Sequence, residues 1–323
     1  MTHRRDLLVL LASSALVPRL VRAQAPARVR RIGLLSTFSA SAAAPWLQAL
    51  REGLRDLGWV EGKNIVIEYR YAEGKFDRLP DLAADLVRLK VDVIVASDAP
   101  AAQKVSSAMP IVMIGADPVD LGLAESLARP RGNITGLSSM TAQMAGKRLE
   151  LLKEMVPKLA RVAVLWNPQN PVSTLTWQET ELSARQLAIQ LQSLEVRSPD
   201  DFDKAFEAAT RGRVGALFVT ADGMIGTNLK RIADAAAKHR LPSMFHRAEF
   251  PDVGGLASYG IDRADSFRRA ATYVDKILKG AKPGDLPIDQ AARFELVVNM
   301  KTARAIGLAI SKDFLLRADR VIE

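Results

Sequence analysis

The chain of 323 residues contains no cysteine. That excludes disulfides, thiolate metal sites, a cysteine nucleophile and a lipid carried on an N-terminal cysteine. Histidine is nearly as scarce. His3, His239 and His246 are scattered, and nothing in the chain has metal-ligand spacing. His239 falls at a helix end, where it suits the helix dipole. His246 follows the strand-like run Ser243–Phe245 and could reach a cleft, as a hydrogen-bond donor rather than a base. No GxGxxG or GxxxxGK[ST] phosphate loop and no GxSxG nucleophile elbow occurs. Carboxylates are plentiful, but their surroundings single out no acid/base pair. Beyond the N-terminus no apolar run is long enough to span a bilayer.

What is present begins with Met1–Ala25. Arg4 and Arg5 precede an apolar run, Leu7–Val17, and then small residues around Ala23 and Ala25. This is the pattern of a cleavable export signal over residues 1–23, cut after Ala23. Arg4-Arg5-Asp6-Leu7-Leu8 has the form of a twin-arginine signal, with an ordinary secretory signal carrying two arginines as the alternative. A periplasmic, unanchored protein is expected. The net charge is +9; without the signal's four arginines and one aspartate, 41 basic residues face 35 acidic ones, or +6. The basic groups Arg28-Arg30-Arg31 and Arg268-Arg269 are short and lack interleaved aromatics. They read as solvated faces, and no nucleic-acid partner is expected.

The rest alternates strand-like and helix-like segments. Strands are expected at Arg31–Leu35, Asn64–Tyr71, Val91–Ala96, Ile111–Ile114, Arg161–Leu165, Ala216–Val219, Leu256–Tyr259 and Glu295–Asn299. Several are continuously apolar, as strands covered on both faces are. Between them, Trp46, Leu47, Leu50, Leu54 and Leu57 recur at helical spacing before Gly58. Leu79, Leu82, Leu86 and Leu89 repeat the pattern, as does the stripe Phe267, Ala270, Ala271, Val274, Ile277 and Leu278 before Gly280. Ser198-Pro199-Asp200-Asp201 reads as a helix start with Ser198 as cap. About 300 residues exceed what one core supports. Two doubly wound parallel-sheet α/β lobes are therefore expected, joined near Gly136–Met140 and again near Tyr259–Arg263.

In open parallel sheets a ligand sits beyond the carboxyl ends of the strands. The residues there are Ser36-Thr37-Phe38, Ser97-Asp98-Ala99 and Gly115-Ala116-Asp117-Pro118 in the first half. In the second half they are Trp166-Asn167-Pro168, Thr220-Ala221-Asp222 and Gly260-Ile261-Asp262, with Tyr259 beside them. Hydroxyls and helix N-terminal amides suit a carboxylate, and an aspartate suits an ammonium. Each residue also has a plainer role: Ser97, Asp98 and Asp222 as helix caps, Asp117-Pro118 as a turn, Trp166 as core, Tyr259 as cover for the hinge.

The chain resembles the ABC-transporter substrate-binding proteins of the tryptophan/tyrosine-binding type. The resemblance rests on Arg31-Ile32-Gly33-Leu34, Gly58-Trp59-Val60-Glu61-Gly62-Lys63-Asn64-Ile65, Asp92-Val93-Ile94-Val95, Asp117-Pro118-Val119 with Gly122-Leu123, and Pro130-Arg131-Gly132-Asn133-Ile134-Thr135-Gly136. It continues through Leu149-Glu150-Leu151-Leu152-Lys153, Asn167-Pro168 and the tail from Phe294-Glu295-Leu296-Val297-Val298-Asn299 to Arg317-Ala318-Asp319. It implies a type I periplasmic binding protein fold whose lobes are discontinuous: 30–138 plus 262–282, and 139–261 plus 283–323. By the same resemblance Ser36, Thr37, Ser97, Asp98, Ala116, Asp117, Asn167, Thr220, Asp222 and Tyr259 would line the ligand pocket. Two departures touch that pocket: Asp98-Ala99-Pro100 stands where relatives often have Thr-Pro, and Thr220-Ala221-Asp222 where they often have Thr-Asp-Asn.

The expected role is capture without chemistry. A monomer holds a small polar, aromatic-amino-acid-like solute between its lobes and delivers it to an inner-membrane ABC permease, with no cofactor and no metal. Asp98 or Asp222 would meet a ligand cation; Ser36, Thr37 or Ser97 would meet an anion. A periplasmic sensing module serving a membrane receptor is the alternative, and a periplasmic enzyme a third reading.

Overall fold

The computed structural model describes residues 28–323 apart from 98, 116 and 292. The export signal, Asp98 and Ala116 thus lie outside the described residues. The first sheet contains β1 (Arg30–Ser36), β2 (Ile65–Tyr71), β3 (Val93–Ala96), β4 (Ile111–Ile114) and β5 (Ile134–Ser138). The second contains β6 (Arg161–Trp166), β7 (Gln190–Glu195), β8 (Ala216–Val219), β9 (Ser243–Phe245) and β10 (Ala257–Ile261). The chain then returns with β11 (Asp289–Gln290), β12 (Phe294–Asn299) and β13 (Arg320–Ile322). The spatial orders are β11-β5-β4-β3-β1-β2 and β13-β12-β10-β9-β8-β6-β7.

Why these segments form central strands is visible in where alternate residues go. Val93 and Val95 of β3 join Ile32, Leu34, Val112 and Ile114 on one face, under the helices Ala40–Asp56 and Arg263–Leu278. Ile94 and Ala96 join Ile111 and Met113 on the other, under Leu79–Arg88 and Ala99–Val105. Both faces are covered, so every residue of β3 and β4 is buried and apolar. The second sheet repeats the scheme: Leu217 and Val219 of β8 face the helices Asp201–Arg211 and Leu229–Lys238, while Ala216 and Phe218 face Ala145–Met155.

Two strands depart from the expected boundaries for identifiable reasons. Ile134–Ser138, expected to lie at a joint, is a fully buried strand between β4 and β11. Its Gly136 looks like a turn residue, but it is there because a Cβ would stand 2.3 Å from the Met113 carbonyl oxygen. Asp289–Gln290 pairs with Leu137–Ser138 of β5. The assignment of 283–323 wholly to the second lobe is therefore corrected: the chain first adds an edge to the first sheet, and only from β12 joins the second. β12 runs antiparallel to β10, so the second sheet is mixed rather than purely parallel. The Ser198 cap is also corrected. The helix begins at Asp201 after an Asp200 cap position, and the Asp201 carboxylate accepts the amides of Arg197 and Ser198 at 2.8 Å each.

The chain passes between the sheets after β5, after β10 and between β11 and β12. Arg148, 2 % exposed, ties the first two passages together: its guanidinium donates to the carbonyls of Thr141 and Tyr259.

Candidate functional site

The two sheets point their outgoing loops at one cleft. From the first lobe come Thr37 and Phe38 after β1, Phe76, Ser97 after β3, Ile114 and Gly115 at β4, and Arg263 at the start of the returning helix. From the second come Asn170, Val172, Ala221, Asp222, Gly223 and His246, with Thr141 of the first passage between. They surround a half-open cavity of about 50 Å³ within a cleft whose whole space, open mouth included, is about 480 Å³.

Around Asp222 the second-lobe wall is a connected hydrogen-bond system. Asp222 caps the short helix Gly223–Thr227, its Oδ1 accepting the Ile225 amide at 2.9 Å. Its Oδ2 accepts the side-chain amides of Asn167 and Asn170 at 3.0 and 3.1 Å. Asn170 in turn caps the helix Pro171–Gln186 through the Val172 amide at 2.9 Å. Below them Ser173 donates to Thr220, whose own hydroxyl donates to the Leu165 carbonyl at 3.1 Å. Burial pushes the Asp222 carboxyl up, against the Ile225 amide and the two asparagines.

The first-lobe wall is different. The Thr37 amide donates to Ser97 Oγ at 3.1 Å, which fixes both hydroxyls at the cavity edge. Phe38 stands edge-on to Trp46, with ring centroids 5.1 Å apart. Two arginines lie against this aromatic pair. Arg247 of the second lobe sits 5.0 Å from the Phe38 ring and 4.8 Å from that of Trp46, and it also bonds the Gly226 carbonyl and Glu249, both at 3.3 Å. Arg263 sits 5.4 and 4.8 Å from the same rings. Burial brings the Arg263 guanidinium down to about 10, helped by Arg247 and opposed by Glu249, so it stays charged at neutral pH.

The lobes meet closely. Trp46 Nε1 donates to Glu249 Oε1 across the seam at 3.2 Å. Gly223 lies so near Thr37 that a Cβ would fall 2.8 Å from the Thr37 Cβ, and one on Gly226 would fall 2.7 Å from the Phe38 ring. Two glycines thus let the Gly223–Thr227 helix settle onto the loop after β1.

Of the residues singled out from sequence, Thr37, Ser97 and Asp222 line the cavity, and Asp222 is its helix cap as well. Asn167 and Thr220 lie one layer beneath, holding the second wall. Ser36 accepts the Phe38 amide at 3.1 Å and shapes the loop. Asp117, 1 % exposed, binds the Ser138 hydroxyl at 3.4 Å and the Ala142 amide at 2.9 Å, which places it under the first passage. Tyr259 stacks on Phe294, with centroids 5.7 Å apart, and Trp166 stacks on Trp177 at 5.2 Å, away from the cavity. His246 does reach the cleft: it is 8 % exposed, and its Nδ1 has no hydrogen-bond partner. Burial, with Arg263, Arg148 and Arg247 nearby, holds its ring well below the usual imidazole range and therefore neutral. Sequence reasoning missed Arg263, Phe76 and Asn170. Asn170-Pro171 carries a legible signal, a capping residue with proline in the first turn. Arg263 carries another: a cation at a helix N-terminus opposes the dipole.

A protein of two α/β lobes closed on a shared cleft is a solute-clamping design. The chain matches the family described as ABC transporter substrate binding protein over residues 31–322, and it belongs to that family. It is 26% identical over 261 residues to a tyrosine-binding protein of Clostridioides difficile (strain R20291), covering 80% of this chain and 75% of that one. Among solved structures it resembles a conserved domain protein from Vibrio cholerae O1 biovar El Tor strain N16961, with a TM-score of 0.86 and 26% identity over 91% of this chain and 100% of that one. It also resembles an ABC domain in complex with L-Trp from Streptococcus pneumonia, with a TM-score of 0.84 and 24% identity over 91% and 99% of the two chains. The fold is that of the type I periplasmic binding proteins.

Proposed function

We propose that the chain captures a small solute of the aromatic amino-acid-like class outside the cytoplasm and hands it, unaltered, to a membrane ABC permease. It acts as a monomer and uses no cofactor. The observation that carries this reading is a cavity walled from both lobes, with the lobes in contact around it. A solute bridging both walls favours the closed arrangement through the contacts it makes only there. The names of the relatives, one tyrosine-binding and one held with L-Trp, support the ligand class. Export is supported by the pattern of Met1–Ala25. Among the described residues no helix is long and apolar enough to cross a membrane.

The space between the lobes, about 50 Å³, is smaller than a tyrosine needs, so in this reading the lobes part to admit the solute. The test is a thermal-shift screen of the purified protein against amino acids, aromatic acids and small carboxylates, with small-angle scattering on each hit. A ligand at 100 times its Kd stabilises by about 2.7 kcal/mol, a clear rise in Tm, and should compact the protein. No rise with any solute would remove the capture reading. Recovery of the protein in the cytoplasmic rather than the periplasmic fraction would remove its place in import.

A further inference from the structure

The cleft presents a charged group, Arg263, that no described residue bonds. Of the charged residues that line it, Asp222 already accepts three hydrogen bonds from its own lobe. Arg263 leans on the same two rings as Arg247, which lies behind the cleft wall and has polar partners, the Gly226 carbonyl and Glu249. Among the described residues no hydrogen bond or ion pair engages Arg263, which lies against the faces of Phe38 and Trp46. His246, with an unpartnered and fully covered Nδ1, lines the same cavity. Both residues also line a second cavity of about 210 Å³ beyond them, so they form the wall between the two spaces.

A half-buried guanidinium that has a carboxylate in its neighbourhood, Glu249, but none bonded to it is an unfavourable arrangement, only partly offset by ring faces. Its position in the first turn of the helix Arg263–Leu278 adds repulsion from the dipole. An anion placed against it would remove both penalties at once, and the hydroxyls of Thr37 and Ser97 stand on the same wall to complete the contact.

We propose that Arg263 is the anion anchor of the cleft, and that the solute is an organic carboxylate held there by its acid group, with no ammonium required for recognition. The proposal rests on the capture reading and narrows it. It reverses the expectation that an aspartate leads recognition by pairing a ligand cation: the Asp222 carboxylate serves the architecture of the second wall. The flat part of the solute lies against Phe38 and Phe76, and the acid group meets Arg263 in the bidentate geometry that guanidinium and carboxylate share.

Three probes separate the claims: 3-(4-hydroxyphenyl)propanoate, L-tyrosine and tyramine share a ring and differ only in acid and ammonium groups. By calorimetry the propanoate should bind within about threefold of tyrosine or tighter, and tyramine at least about tenfold weaker. Arg263→Gln should lower propanoate affinity about 10- to 100-fold, the effect of losing a charge-assisted contact. Arg263→Lys should keep part of it. Both variants are first checked for wild-type unfolding curves; if Arg263→Gln is unstable, the Lys variant and the wild-type probe ranking decide. Tyramine binding as well as the acid, tyrosine binding where the propanoate does not, or full affinity in a folded Arg263→Gln would each overturn the proposal. A parallel panel of neutral polyols and sugars separates the two levels. A neutral or cationic solute that binds and compacts the protein overturns the carboxylate assignment and leaves capture standing; no binding by any probe overturns both.

Discussion

The two walls of the cleft are built on opposite principles. The second-lobe wall, His246 apart, spends its polar groups on itself: Asp222, Asn167, Asn170, Ser173 and Thr220 bond one another or cap helices. The first-lobe wall leaves Arg263 without a bonded partner among the described residues, beside two hydroxyls that bond only loosely and two aromatic rings. A satisfied wall is rigid, because each buried polar atom would lose its partner on moving. An unsatisfied wall is receptive, because a ligand supplies what is missing. The difference teaches that polar residues gathered at a sheet's outgoing edge divide into those that discriminate and those that hold the frame, and the hydrogen-bond partners tell which is which.

This division is broken most directly by Asp222→Ala. The substitution removes a helix cap and strands two buried asparagine amides, so unfolding free energy should fall by about 3 kcal/mol, measured by urea titration. A loss below 1 kcal/mol would mean that the second wall is not a frame. His246 gives the next largest effect. Its folded-state affinity for a proton is depressed, so the stability it contributes is present above its unfolded value near 6.5 and is lost as the pH falls. Between pH 6.5 and 5 that loss should reach up to about 2 kcal/mol. His246→Gln should abolish this part of the pH dependence. Asp117 and Asp222, raised by burial, act in the opposite sense, and what they contribute falls as the pH rises, so the difference between wild type and variant isolates the histidine. Gly223→Ala should leave the second lobe stable but hold it off Thr37, with about tenfold weaker ligand binding, or about 1.4 kcal/mol, and a larger scattering radius. Unchanged dimensions would show that the seam has slack there. The smallest effect belongs to Tyr259→Phe. Its hydroxyl bonds nothing among the described residues and its ring keeps the Phe294 stack, so stability and affinity should move by less than about 0.5 kcal/mol.

The fold was legible wherever burial on two faces forced a continuous apolar run, as in Val93–Ala96, Ile111–Ile114 and Ala216–Val219. It was illegible at the edges. Gln190–Glu195 is polar because only one flank pairs and most of its residues are at least partly exposed, and Asp289–Gln290 is two exposed residues defined by a neighbour far away in sequence. The site divided in the same way. Thr37, Ser97 and Asp222 could be found because they follow strands, a local rule. Arg263 and Phe76 reach the cleft from a helix start and a loop turn, positions that only the tertiary arrangement brings to the cavity. Asp117 followed the local rule and was drawn instead into the passage between lobes, where its two oxygens hold Ser138 and Ala142.

Trp46 carries a practical consequence. Of the four indoles, Trp166 and Trp177 stack on each other at one sheet's margin, and Trp59 is tethered to Asp275 within the first lobe at 2.8 Å. Trp46 alone donates across the seam, to Glu249, and lies between the guanidinium groups of Arg247 and Arg263. The molecule therefore carries an optical gauge of its own jaw: parting the lobes moves one indole out of its bond and into water, shifting its emission to longer wavelength against a constant background of three, and each opening could be timed without attaching a dye.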